Sequence, residues 1–187
     1  MHCWFGISHS FRICSGLLAT GIMAISLSGT AQQQKNTRVT VQREAMHKLA
    51  FLVGKWQGPA TVMRRQGEPL HLTQTEDVQW KLDGLVLLID GESKNAGGKV
   101  GFSALATVAY DDAAKTYKIR AYHDGQYLDT EFTLKDGGFS WGFPAGPGRV
   151  ENTMRLTAKG EWNEVTEFVT GSNPPQRSME MELTRRP

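Results

Sequence analysis

From about residue 55 to its end, this chain alternates apolar and polar side chains in short runs. Residues 70–82 show the pattern best. Leu70, Leu72, Gln74, Glu76, Val78, Trp80 and Leu82 share one phase, and His71, Thr73, Thr75, Asp77, Gln79 and Lys81 share the other. Successive side chains on a strand point to opposite faces, so the wholly polar phase meets solvent. The same alternation gives ten candidate strands, near 55–65, 70–82, 85–93, 100–110, 116–124, 126–135, 138–144, 149–158, 161–170 and 177–186. Turn signals separate them, among them Asp83-Gly84, Asn95-Ala96-Gly97-Gly98, Asp124-Gly125 and Asp136-Gly137-Gly138. Connections this short favour antiparallel neighbours. The segment 139–143 reads as strand or as loop, which leaves the count at about eight to ten.

A different periodicity precedes the strands. Ala45, Met46, Leu49, Leu52 and Val53 recur at helical spacing, predicting a helix over about 41–53. Gly54-Lys55-Trp56 follows at once. A short helix that stops on a glycine and feeds a tryptophan into the first strand closes one end of a barrel with a large apolar surface. No other helix is available to cover a sheet face, so the strands must close on themselves or form a sandwich. The predicted class is all-β: a single antiparallel up-and-down β-barrel with its N-terminal helix plugging one end. In the last strand Met179, Met181, Leu183 and Arg185 share the inward phase. An inward arginine is costly unless it is paired or stacked, and the Trp56 indole offers a face for it.

Composition changes the picture mainly at the N-terminus. Arg12 is the only Lys, Arg, Asp or Glu in residues 1–31, and an apolar stretch over 13–27 leads to Ser28-Gly29-Thr30-Ala31. This predicts a signal peptide, 1–31, cleaved after Ala31; an uncleaved N-terminal anchor is the other reading. The apolar stretch is short for a membrane span. Residues 32–40 are polar and predict a disordered linker, leaving 41–187 as one barrel domain, exported to the periplasm or secreted. Both cysteines, Cys3 and Cys14, would leave with the signal. Removing Arg12 from the 21 Lys and Arg leaves 20 against 19 Asp and Glu. That near-neutral balance gives no electrostatic case for nucleic acid.

Gly54-x-Trp56 after a short helix, with an arginine late in the last strand, resembles the signature of the calycins, the lipocalin and fatty-acid-binding-protein-like barrels. In that family the Trp and Arg pack together at the closed end. More closely, the chain resembles an uncharacterised bacterial lipocalin-like domain family. The resemblance rests on Leu49-x-Phe51-Leu52-Val53-Gly54-x-Trp56-x-Gly58, Tyr110-Asp111 with Tyr117, Trp162-x-Glu164 and Met181-x-Leu183-x-Arg185, and covers about residues 44–186. It implies a calycin-like barrel with Gly54, Trp56 and Arg185 as its structural signature. It brings no catalytic residue, and fold alone does not assign function.

Polar residues in the inward phases are Gln74, Glu76, Tyr110, Tyr117, His123, Thr130, Asn152, Glu164 and Thr166. Ala104, Ala106 and Ala121 share those faces, and small inward side chains leave volume. The predicted site is a cavity lined by Glu76, Val78, Trp80, Ala104, Ala106, His123 and Glu164, taking a small, mostly apolar molecule without a cofactor. Four other readings use the same residues. Buried Glu76 or Glu164 would serve an isomerase- or cyclase-type enzyme. Glu76, His123 and Glu164 would make a two-carboxylate, one-histidine metal site. His123 would be an axial ligand in a haem-binding barrel. A filled barrel would serve as an envelope protein that binds a partner. Nucleophile–base, zinc-protease and phosphate-loop motifs are absent, which favours binding over catalysis. Trp141-Gly142-Phe143-Pro144-Ala145-Gly146-Pro147-Gly148 reads as a lid over the mouth or as a strand with a stiff loop.

Overall fold

The computed structural model describes residues 25–187, the side chains from residue 31 onward. The barrel unit comprises Thr37–Pro187, and the residues up to Asn36 form a separate unit. The signal-peptide reading, with Cys3 and Cys14, falls almost wholly outside the described residues.

Helix α1 spans Ile25–His47 and therefore runs through 32–40, where the sequence predicted a disordered linker. The segment from Ala31 to His47 contains neither glycine nor proline and is rich in good helix formers. Gln32 Nε2 also donates to Asn36 Oδ1 one turn on, at 3.2 Å. The predicted helix over 41–53 is divided: α1 ends at His47 and a 3-10 turn covers Ala50–Leu52. Side chains from the barrel take the carbonyls at this point. Trp56 Nε1 donates to Leu52 O at 2.7 Å, Arg185 Nη2 to Phe51 O at 2.8 Å, and Arg185 Nη1 to Val53 O. Chain-end carbonyls without an intrahelical partner need such donors. Among the described residues no helix is long and apolar enough to cross a membrane, which says nothing of strands.

Ten strands follow: β1 Gly54–Val62, β2 Leu70–Lys81, β3 Val86–Lys94, β4 Val100–Asp111, β5 Thr116–His123, β6 Gln126–Lys135, β7 Gly138–Ala145, β8 Gly148–Leu156, β9 Trp162–Val169 and β10 Gln176–Arg186. Each pairs antiparallel with its sequence neighbour, and β1 pairs with β10 to close the barrel. The ambiguous segment 139–143 is strand β7. Its Trp141–Phe143 part therefore belongs to the wall, and the lid reading gives way to the strand reading. β6 and β7 pair only between Phe132–Lys135 and Gly138–Trp141. Beyond that ladder Thr130 Oγ1 bridges to Gly142 O at 2.7 Å, and Pro144 has no N–H to extend it.

The helix end of the barrel is solidly packed. Met46, Leu49, Leu52, Trp56, Leu87 and Leu183 are fully buried there. Tyr117 Oη donates to Ala45 O at 2.7 Å, and Arg43 Nη2 meets Asp83 Oδ2 at 2.8 Å. An aromatic belt crosses the interior from strand to strand. Tyr110, Tyr117, Phe132, Phe139, Trp162 and Trp56 follow one another with ring centroids 4.6–6.0 Å apart. These are favourable edge and offset contacts. The Arg185 guanidinium ends the series, 4.2 Å from the centroid of the Trp56 ring. Gly54, at φ 130°, lies in a region L-residues rarely adopt, and a Cβ there would meet Arg185 Nη1 at 2.5 Å. Glycine is what lets the arginine reach over the tryptophan.

Candidate functional site

Above the aromatic belt the interior is hollow. A cavity of about 720 Å³ extends from the belt to the opposite end of the barrel, where Met63, Phe102 and Tyr127 line it and are exposed. Its volume lies within the range of small-molecule sites. The reason for the hollow is local. Gly91 pairs with Ala104 between β3 and β4, and Ala106 pairs with Ala121 between β4 and β5. Four small residues on adjoining strands leave the side-chain layer missing from that wall. Phe132, Phe139, Trp141, Phe143 and Trp162 form the facing wall and floor.

Polar groups on the lining are few and organised. Ser93 Oγ donates to Gln74 Oε1, and Gln74 Nε2 donates to Glu76 Oε1 at 2.7 Å. On the other side, Trp162 Nε1 donates to Glu164 Oε2 at 2.9 Å. Thr166 Oγ1 donates to Asn152 Oδ1 at 2.6 Å. The Glu76 carboxyl sits over Gly91, where a Cβ would meet its two oxygens at 2.7 and 2.8 Å. Burial drives the Glu76 carboxyl up to about 8, and the Glu164 charge adds to the rise; the Gln74 hydrogen bond opposes it. Burial likewise raises Glu164 to about 7 against the Trp162 hydrogen bond. The lining contains no lysine or arginine. Both carboxyls are thus shifted toward the protonated form, in an apolar chamber whose lining supplies no lysine or arginine as countercharge.

Of the seven residues predicted to line the cavity, Glu76, Ala104, Ala106, His123 and Glu164 do so, and Val78 and Trp80 do not. The last two have the right phase and the wrong height. Val78 pairs with Gly54, level with the end of the helix, and Trp80 lies beyond it. Val78 is buried in the packed end, and Trp80 packs against it half-buried. Counting residues from the β1–β2 turn would have shown this, because the helix precedes β1 and so marks the far end of β2. The sequence reading missed Gly91, Ser93 and most of the aromatic wall. Trp162 carried a signal, since it shares the phase of Glu164 two residues on.

His123 stands at the rim. Its ring lies 4.3 Å from that of Phe102, Nδ1 is 2.9 Å from Ser103 O, and Nε2 is 3.0 Å from Asp124 Oδ2. The structure does not bring it together with Glu76 and Glu164. Among the described residues no group of three or more His, Cys, Asp and Glu is placed to hold a metal ion. The haem reading would require one of its engaged ring nitrogens to be freed. Of the remaining inward polar residues, Tyr110 and Tyr117 belong to the packed end and Thr130 bridges the β6–β7 seam.

Fold and site together define a closed ten-strand antiparallel barrel with an interior chamber. Among solved structures the chain is similar to Rv2717c from M. tuberculosis, with a TM-score of 0.57 and 12% sequence identity over 76% of this chain and 98% of that one. At this identity the likeness shows the fold alone. No family model and no curated protein matches the sequence.

Proposed function

We infer that this chain is an exported, lipocalin-like barrel that binds a small, mostly apolar molecule in its interior. The observation that carries the reading is the cavity of about 720 Å³, walled by aromatic and small residues. A core built only for stability would place Leu or Phe where Gly91, Ala104, Ala106 and Ala121 stand. The test is titration with a neutral apolar dye, N-phenyl-1-naphthylamine. Dye emission should rise on binding, and tryptophan emission should change because Trp141 and Trp162 line the chamber. Ala106→Phe should abolish the response and leave the fold intact. If no dye binds the parent protein and Ala106→Phe costs stability through overpacking, the interior is not a binding site.

A second reading has one observation in its favour, the two buried carboxyls raised to about 8 and about 7. Carboxyls near the working pH suit proton transfer, as in an isomerase. Such an enzyme would exchange hydrogen between a bound ligand and deuterated solvent. Absence of that exchange in a ligand shown to bind would leave the carboxyls a purely binding role.

A further inference from the structure

We propose that the chamber selects an apolar molecule bearing one cationic nitrogen, an amine held between Glu76 and Glu164. This deepens the reading of the barrel as an interior binder and rests on it. Three features on the cavity wall point to the charge of the ligand. The lining has two carboxyls and neither lysine nor arginine. Each carboxyl has one oxygen committed to a neutral donor within the wall, Oε1 of Glu76 to Gln74 and Oε2 of Glu164 to Trp162. No buried side-chain polar atom among the described residues lacks a partner, so the second oxygens are exposed to the chamber and not sealed in the core. Those two oxygens are the acceptors that remain.

Both carboxyls come from inward positions on strands near the barrel closure, Glu76 on β2 and Glu164 on β9, with β1 and β10 between them. The Glu164 charge contributes to the rise at Glu76. Of the other titratable groups around the chamber, one adds to the negative character. Asp90, on the outer face of β3, adds to the repulsion on Glu76. His123 lies at the rim beside Asp124, and the Tyr127 phenol is at the exposed mouth. An incoming ammonium is the partner that lets a carboxyl release its proton inside an apolar chamber, because the buried charge is then paired. A carboxylate ligand would be repelled by any ionised partner and would find no cation. The aromatic wall of Trp141, Phe143 and Trp162 suits the body of such a molecule, and its π faces also attract a cation.

The test compares n-octylamine, n-octanol and octanoate, which share one apolar body, by calorimetry at pH 7 on the native protein. Octylamine should bind on the order of tenfold or more tighter than octanol, as a charge-assisted hydrogen bond implies. Octanoate should bind weakest. Octylamine binding should release protons, seen as a buffer-dependent heat, and octanol binding should not. In the Glu76→Gln, Glu164→Gln double variant, the ratio of octylamine to octanol affinity should shrink to a few-fold. A cooperative urea transition followed by tryptophan emission shows independently that the variant is folded. If octanol binds the native protein as tightly as octylamine, the charge selectivity is refuted while interior binding stands. If neither octanol nor N-phenyl-1-naphthylamine binds, the interior-binding reading fails and the amine proposal fails with it.

Discussion

Replacing Glu76 with glutamine should make this protein more stable, and only on the alkaline side. Glu76 holds its proton to about pH 8 in the folded chain, against about 4.5 as its ordinary value. Between those two values the native state binds more protons than the unfolded state. Stability contributed by the group is therefore complete below pH 4.5 and is lost as pH rises through 8. Each pH unit of the difference is worth 1.36 kcal/mol, so the span implies a loss on the order of 5 kcal/mol by pH 9. Glu164, raised to about 7, acts in the same direction. Glutamine keeps the shape over Gly91 and the acceptor for Gln74 while removing the ionisation. Urea unfolding followed by tryptophan emission at pH 5, 7 and 9 is the assay. The parent should weaken steadily from pH 5 to 9. Glu76→Gln should match it within about 1 kcal/mol at pH 5 and exceed it by several kcal/mol at pH 9. Asp111, held low mainly by the Ala114 N–H, and Asp129, held low by Arg120, act on the acid side of this window. A parent whose stability is flat from pH 5 to 9, or a variant no more stable at pH 9, would refute the buried-carboxyl reasoning.

Other expectations follow from particular contacts. Trp56→Ala should cost about 3–5 kcal/mol in urea melts, because it removes a buried ring between Trp162 and Arg185; a loss below about 1 kcal/mol would mean that the belt adds little. Gly91→Ala should destabilise by about 1–3 kcal/mol by pushing its Cβ into the Glu76 carboxyl, and the cost should largely disappear in a Glu76→Ala background, where a double-mutant cycle reads the coupling. Arg120→Ala should leave the urea midpoint almost unchanged, because its ion pair with Asp129 is half in solvent. N-terminal sequencing of the protein recovered from outside the cytoplasm should begin near Gln32, and an intact Met1 start would overturn the cleaved-signal reading.

The barrel was legible because alternation is a local signal that the closed structure needs everywhere. Leu70 to Lys81 had one wholly polar phase, and that phase is the outer face. Turn residues marked the hairpins, so strand limits agree closely, as for β6 at Gln126–Lys135. The helix was less legible at both ends. Residues 32–40 are polar, and polarity by itself does not separate a solvated helix from a disordered linker. At 48–53 the apolar spacing persisted, yet the carbonyls were taken by Trp56, four residues on from Leu52, and by Arg185 of the last strand, the latter a contact that no local pattern reports.

The site was legible in phase and not in height. Glu76, Val78 and Trp80 are equivalent to any rule of alternation, and only Glu76 meets the cavity. What separates them is distance along the barrel axis, set by the helix at one end. The hollow has the same origin. Ala104, Ala106 and Ala121 were visible as small inward residues, but Gly91 completes the gap only through its pairing with Ala104 across the β3–β4 ladder. Gly91 also makes room for the Glu76 carboxyl, so the glycine that opens the chamber is the residue that admits its acid. A larger residue at 91 would fill the space and displace the charge together. Cavity and carboxyl are thus one structural feature, and a ligand that fits the first must answer the second.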